Sequence, residues 1–270
     1  MLSVKKLCTC SIFPLAFLAA SVNANETPPS NDSVKTDERG EARARIEPKG
    51  FLYGFGLGIS GEIYQGYDRR VIPLPILGYR GDNFEVLGPF ASYDAYSAEG
   101  FDFKLNLAPR FQGFDDGDSD VFIGMEERDF SMDAGFGIGY ERNNWKVDVN
   151  AMFDILGKSK GHELAAKVGK VVRYGPVFVE PHAQISYLDD KHVDYYYGVR
   201  ANEATSNRSF YQGENAVNYS LGVSVSTPIF FDGFTMLALD YTWYDGSITD
   251  SPIVDQDTNL NLRLLYSAFF

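Results

Sequence analysis

The chain has 270 residues and a formal charge of −13, with 21 Phe, 17 Tyr and 26 Gly but only two Cys. An acidic balance of this size disfavours nucleic acid, whose phosphates reward cations. The cysteines are Cys8 and Cys10, and nothing after residue 24 offers about 18 consecutive apolar residues, which excludes a disulfide framework and a membrane-spanning helix from the remainder.

Residues 1–24 read as a secretory signal peptide. Lys5 and Lys6 form the positive start, and Leu7 to Ala20 is an apolar run too short to span as a helix. Val22-Asn23-Ala24 is a small-residue cleavage site, so the mature chain is expected to begin at Asn25. Cleavage removes two lysines and no acid, which takes the charge from −13 to −15. Residues 25–49 are Pro, Ser, Asn and charge without periodicity and are expected to form a disordered periplasmic tail. Residues 50–270 are expected to form one domain.

From Phe51 onward the dominant period is two, the period of a strand with unlike faces. Phe51, Tyr53, Phe55, Leu57 and Ile59 alternate with Leu52, Gly54, Gly56, Gly58 and Ser60. Segments 71–80 and 83–93 follow less cleanly. Phe101, Phe103, Leu105 and Leu107 then alternate with Asp102, Lys104, Asn106 and Ala108. Phe130 to Tyr140 and Trp145 to Phe153 repeat the pattern on either side of Asn143-Asn144. Segment 161–174 is weaker. Val177 to Tyr187, Val217 to Val225 and Leu237 to Trp243 are clear. The chain ends on Leu260, Leu262, Leu264, Tyr266, Ala268 and Phe270, set against Asn259, Asn261, Arg263 and Ser267.

These eleven candidates are mostly longer than the 5–6 residues of an ordinary strand and match the ~9–11 residues that cross a bilayer at a tilt. Their polar faces carry Lys104, Arg110, Lys146, Arg173 and Arg263 among Asp102, Asp133, Asp148, Asp154 and Glu163. Such charges would ruin a sandwich core and suit a hydrated lumen. The expected fold is therefore all-β, a transmembrane antiparallel up-and-down barrel. Short turns at Gly81-Asp82, Asn143-Asn144, Gly175-Pro176 and Phe231-Asp232-Gly233 belong on the periplasmic side, and the long loops 189–214 and 245–258 outside. Eleven strands cannot satisfy that arrangement. One more crossing between about 113 and 129 would give twelve, although that acidic segment could fold into the lumen instead.

Several patches, in order, resemble the MltA-interacting protein and OmpV family of outer-membrane barrels. They are Gly56-Leu57-Gly58, Tyr64-Gln65-Gly66, Pro73-Leu74-Pro75 and Leu77-Gly78-Tyr79-Arg80-Gly81-Asp82, then Phe122-Ile123-Gly124-Met125-Glu126-Glu127-Arg128. The last are Asp194-Tyr195-Tyr196-Tyr197-Gly198-Val199 with Glu203-Ala204, and Ser251-Pro252-Ile253-Val254. The resemblance spans about 50–270. It implies an outer-membrane location among lipid and lipopolysaccharide. It also implies a scaffold linking a lytic transglycosylase to a murein synthase of the penicillin-binding class, and Phe270 as the signal to the barrel-assembly machinery. Other members are described as porin-like or linked to antibiotic response. The family carries no catalytic motif.

No catalytic, cofactor-binding or metal residue is expected. Asp116, Asp118 and Asp120 with Ile123 and Glu127 have the rhythm of a calcium loop, but Val121 stands where the sharp turn needs Gly. A solvated acidic loop is the plainer reading. His182 should face the lumen beside Glu180, with Ser186 on the same face about 13 Å away, too far for base activation. Tyr195-Tyr196-Tyr197 reads as an interfacial belt or loop packing rather than an exposed recognition patch. The leading function is a scaffold for murein enzymes. The alternatives are a small-solute channel and surface adhesion through the two long loops.

Overall fold

The computed structural model describes residues 49–230 and 233–270. The segments expected to be a signal peptide and a tail, up to residue 48, and the expected turn residues 231–232 lie outside the described residues. Twelve antiparallel strands form one closed sheet. They are β1 (Gly50–Gly61), β2 (Arg69–Arg80), β3 (Phe84–Leu87), β4 (Phe90–Ala98), β5 (Phe101–Arg110) and β6 (Ser131–Arg142). β7 (Trp145–Asp154) is followed by β8, which runs His162–Lys170 and resumes as Val172–Tyr174 after one interrupted residue. β9 (Val177–Leu188), β10 (Ala216–Phe230), β11 (Gly233–Trp243) and β12 (Thr258–Phe269) complete the wall. Each strand pairs with its neighbours in sequence, and β12 pairs back onto β1 from Leu52↔Phe269 to Ser60↔Asn261. Closure leaves no free edge at that seam, the arrangement that lets a sheet stand in lipid.

The strand number agrees with expectation, but the twelfth strand arises elsewhere. Segment 113–129 does not cross. It holds a 3-10 turn at Asp120–Phe122 and an isolated bridge Phe114↔Arg128, and folds over the long-loop end. It lacks an alternating apolar face to offer lipid. The extra strand comes from 83–93, which splits at Gly88-Pro89 into β3 and β4. Gly88 has φ 57°, a sign glycine adopts without Cβ strain, and its N–H donates to Leu77 O at 2.9 Å.

Connections 81–83, 99–100, 143–144 and 175–176 share one end of the barrel with both barrel termini. Asn143 and Asn144 both take positive φ, 52° and 66°, as a two-residue hairpin turn requires. The long connections 62–68, 111–130, 155–161, 189–215 and 244–257 lie at the other end. The outward face is apolar. Aliphatics such as Leu105, Ile138, Val149, Leu221 and Leu237 form its middle. Phe51, Tyr79, Phe84, Phe101, Tyr140 and Trp145 ring the short-turn end, and Phe153, Tyr187, Tyr241 and Trp243 ring the other. These are the two interfacial belts of a membrane barrel.

One sector of the wall is incomplete. β3 pairs β2 only over Gly78–Arg80, and β4 pairs β5 only as far as Leu107. Above that level Arg69–Leu77 of β2 and Ala108–Arg110 of β5 have no strand between them among the described residues. Phe90, Ala108 and Met152 pack behind this gap with Leu74 and Phe111.

Candidate functional site: a sealed loop end above a charged lumen

The long connections do not wave freely. They build an aromatic core of their own. Asp189 begins α1 (Asp190–Tyr197) by accepting from His192 N, and a further bond, accepted from His162 N at 2.9 Å, ties the helix to β8. An N-terminal carboxylate of this kind satisfies N–H groups that the first turn leaves open. α1 delivers Val193, Tyr196 and Tyr197 inward, and a short helix α2 (Gly246–Thr249) delivers Ile248. Phe114 and Phe122 stack at 3.9 Å, and Tyr64 from loop 62–68 meets both rings and Tyr197 at about 5.5 Å. Phe114, Phe122, Val193, Tyr196, Val199, Ile248 and Ile253 are 0% exposed, so this is a dry plug rather than a rim.

Polar contacts lock the plug. Arg128 and Glu203 form a two-armed ion pair, Nη2 to Oε2 at 2.8 Å and Nη1 to Oε1 at 3.0 Å, with both side chains 1% exposed. Arg128 Nε donates to Tyr195 O, and Glu203 accepts from the backbone N–H of Glu126 and Arg200. Burial opposes ionisation of Glu203. The Arg128 bonds and the two backbone donors outweigh burial and hold the carboxyl down to about 2. Glu62 lies 2.9 Å from Arg70, yet burial prevails there and raises it to about 7. Burial, then the Arg110 charge, pushes His192 well below its ordinary value, so it is a neutral ring whose Nε2 meets Gln112 Oε1 at 3.0 Å. Ser251 Oγ donates to Tyr197 O, Tyr64 OH to Tyr196 O and Gln65 N to Ile253 O.

Below the plug the inward faces carry paired charges. Arg110 bridges Asp133 and Glu163. Lys104 meets Asp94 at 3.4 Å, Lys146 meets Glu180 at 3.4 Å, and Arg263 joins Asp240. A cavity of about 1010 Å³, counted with its open side, lies among β3 to β9 and is lined by Lys104, Asn106, Asp148, Asn150, Lys167 and Gln184. A second space of about 610 Å³ lies directly under the plug, beside Tyr64, Tyr197, Asn218 and Tyr244. Leu52, Ile76, Leu87 and Leu265 fill part of the lumen nearer the short-turn end.

A family model described as MltA-interacting protein MipA matches residues 53–268. The chain belongs to that family. The relatives include the MltA-interacting protein of Escherichia coli (strain K12), 27% identical over 214 residues that cover 76% of this chain and 84% of the relative. Outer membrane protein Omp26La of Vibrio anguillarum is 26% identical over 200 residues, 73% of this chain and 77% of the relative. Among solved structures, the CymD monoaromatic hydrocarbon channel matches with TM-score 0.40 at 9% identity, covering 87% of this chain and 91% of that one. The closed sheet and the family match make the fold an outer-membrane-type barrel of the MipA and OmpV kind.

Four of the family motifs read separately in the sequence meet in the plug. Tyr64-Gln65, Phe122 to Arg128, Tyr195 to Val199, Glu203 and Ser251 to Ile253 all contribute to it. Of the two readings of the Tyr run, packing within the long loop is the observed one. The carboxylates of Asp115 and Asp118 accept from Gly117 and Asp115 N–H as local turn bonds, and no group of three or more acidic, His or Cys residues suited to a metal occurs among the described residues. His182 does face the lumen. Its Nε2 meets Asp240 Oδ1 at 2.7 Å and its Nδ1 meets Glu180 O at 3.2 Å, so both ring nitrogens are engaged. Two of the expected lumen charges serve otherwise. Asp154 accepts from Leu156, Gly157, Ser159 and Lys160 N–H and folds loop 155–161, while Arg173 bonds Gly175 O at the short-turn rim.

Proposed function

We propose that the chain is a non-catalytic scaffold of the outer membrane whose periplasmic face positions murein enzymes, a lytic transglycosylase and a penicillin-binding synthase. The observation that carries this reading is the buried aromatic plug of Phe114, Phe122, Tyr196 and Ile253 across the long-loop end of the barrel. A solute channel needs a wetted path there. A relative called an MltA-interacting protein supports the choice of partner. On this reading residues 1–24 direct export through the Sec pathway and are removed, and residues 25–49 with the short turns form the contact surface. Phe270 meets the barrel-assembly machinery, and the outer surface meets lipid and lipopolysaccharide.

Detergent-folded protein, immobilised and exposed to envelope extract, tests this directly. Retention of a lytic transglycosylase and a murein synthase, both lost when residues 25–49 are deleted or the short turns are altered, is the expected result. Retention of neither by the intact protein overturns the scaffold.

A further inference from the structure

Most cations at the short-turn end are already engaged. Lys49 pairs with Asp82 and Arg80 with Glu85, Lys146 meets Glu180 at 3.4 Å, and Arg173 donates to Gly175 O. Arg142 and Lys170 differ. Both are exposed, and neither has an acidic partner among the described residues. Glu99, in the neighbouring 99–100 turn, makes no ion pair with either.

The two cations stand in one row. Arg142 is opposite Trp145 across β6–β7, and Trp145 is opposite Lys170 across β7–β8. Residues directly opposite in adjacent strands point to the same face. Trp145 is 49% exposed on the lipid-facing side, so all three side chains point outward there. Lys170 Nζ lies 5.1 Å from the centre of the Trp145 ring. The hairpin fixes the row. Asn143 and Asn144 turn β6 into β7, and Val171 N donates to Asn144 O at 2.8 Å, which holds the end of β8 beside that turn. The side-chain amides of Asn143 and Asn144 are exposed and make no hydrogen bond among the described residues.

Depth decides what the row can meet. It lies level with the aromatic belt of the short-turn end, where lipid head groups begin. Next to it, toward the bilayer centre, come Tyr140, Val147 and Val168, opposite one another in the same strands. Elsewhere that belt is Phe51, Tyr79, Phe84 and Phe101, without an unpaired outward cation among the described residues. Adjacent strands lie about 4.8 Å apart, so Arg142 and Lys170 are rooted about 10 Å from each other. Two long cationic side chains thus flank one indole with no protein anion to answer them. A head group with one phosphate engages one of them fully. A head group with two phosphates on a single glycerol engages both, and the Asn amides can reach its free hydroxyl.

We propose that Arg142, Trp145 and Lys170 form a head-group site for one diphosphate phospholipid of the cardiolipin class in the periplasmic leaflet. Each cation takes one phosphate, Trp145 packs against the glycerol, and the acyl chains lie on Tyr140, Val147 and Val168. The site rests on the reading that the short turns face the periplasm, and it needs neither murein enzyme.

Native mass spectrometry of the full chain in detergent, titrated with cardiolipin, tests it, with phosphatidylglycerol, phosphatidylethanolamine and lipid A as comparators. One cardiolipin should remain per barrel after loosely held lipid is stripped, and phosphatidylglycerol should be held several-fold less tightly. Arg142→Gln with Lys170→Gln should lower cardiolipin affinity about thirtyfold. Arg142→Lys with Lys170→Arg should keep it, and so should Lys49→Gln, which removes a cation at the same end. If the double Gln variant gives no heat-modifiable barrel, the two single variants replace it, each expected to lower affinity about fivefold. No retained cardiolipin, equal retention by folded variants lacking the charges, or equal retention of phosphatidylglycerol overturns the site. Preferential retention of lipid A overturns its placement in the periplasmic leaflet.

Discussion

At the scale of single residues, the Arg128–Glu203 pair is the buried ion pair that ties the loops of the plug together. Both partners are buried, and every oxygen of Glu203 has a donor. Removing one partner leaves a buried uncompensated charge, a change that costs about 3–5 kcal/mol. Arg128→Met should therefore expose the 189–215 loop to protease in the folded barrel while the strands stay protected. Limited proteolysis followed by mass spectrometry checks this. Two carboxyls give the plug opposite pH responses. Glu203, held at about 2 against an ordinary 4.5, contributes stability that is full above about 4.5 and lost as pH falls toward 2. Glu62, raised to about 7, contributes stability that is full below about 4.5 and lost as pH rises through 7. Hydrogen exchange of plug amides, corrected for intrinsic rate, should be slowest near pH 5. Glu62→Gln should flatten the limb between pH 5 and 7, and an unchanged limb would show that another group governs it.

At the scale of elements, the strands were legible because lipid on one side and water on the other force a two-residue period. Long strands such as β6 and β12 show it without interruption. β3 was not legible, because four residues contain only two of each face and Gly88-Pro89 breaks an apolar stretch that otherwise reads as one strand. α1 was hidden for a related reason. Its eight residues are too few for a helical period, and only Asp189 three residues before His192 could have signalled a capped start. The plug itself was beyond reach, since its contacts join residues such as Tyr64 and Tyr196, or Arg128 and Glu203, that lie far apart in the chain. Their presence in separate family motifs was the one available clue.

The seam between β1 and β12 makes a sharper element-level demand. A Cβ on Gly54 would lie 1.9 Å from Tyr266 O, so a side chain there collides with the strand that closes the barrel. Gly54→Val should abolish the heat-modifiable folded band on electrophoresis, whereas Gly50→Val, with nothing within 4 Å, should impair closure less despite its positive φ. Phe270 contributes to the same seam. Its N–H donates to Phe51 O and its ring lies 4.9 Å from Tyr53. Deleting it should lower barrel yield in cells. Normal yield would remove Phe270 from the assembly pathway.

At the scale of the whole molecule, three features combine. An apolar belt holds the barrel in the membrane, an ion-paired lumen leaves space inside it, and an aromatic plug covers one end. Lumen charges of both signs pair mostly with each other, as in Arg110 with Asp133 and Glu163, so they fix the wall rather than select an ion. The sealed end directs attention to the opposite face, which the short turns form. A barrel whose plug loosened would conduct, and one whose plug held would not.

The most direct test of this account is planar-bilayer conductance of the wild-type protein beside Arg128→Met. The account predicts no steady conductance from the wild type and discrete openings once the plug is loosened. Steady, large openings from the wild type at neutral pH would contradict it and make the protein a channel.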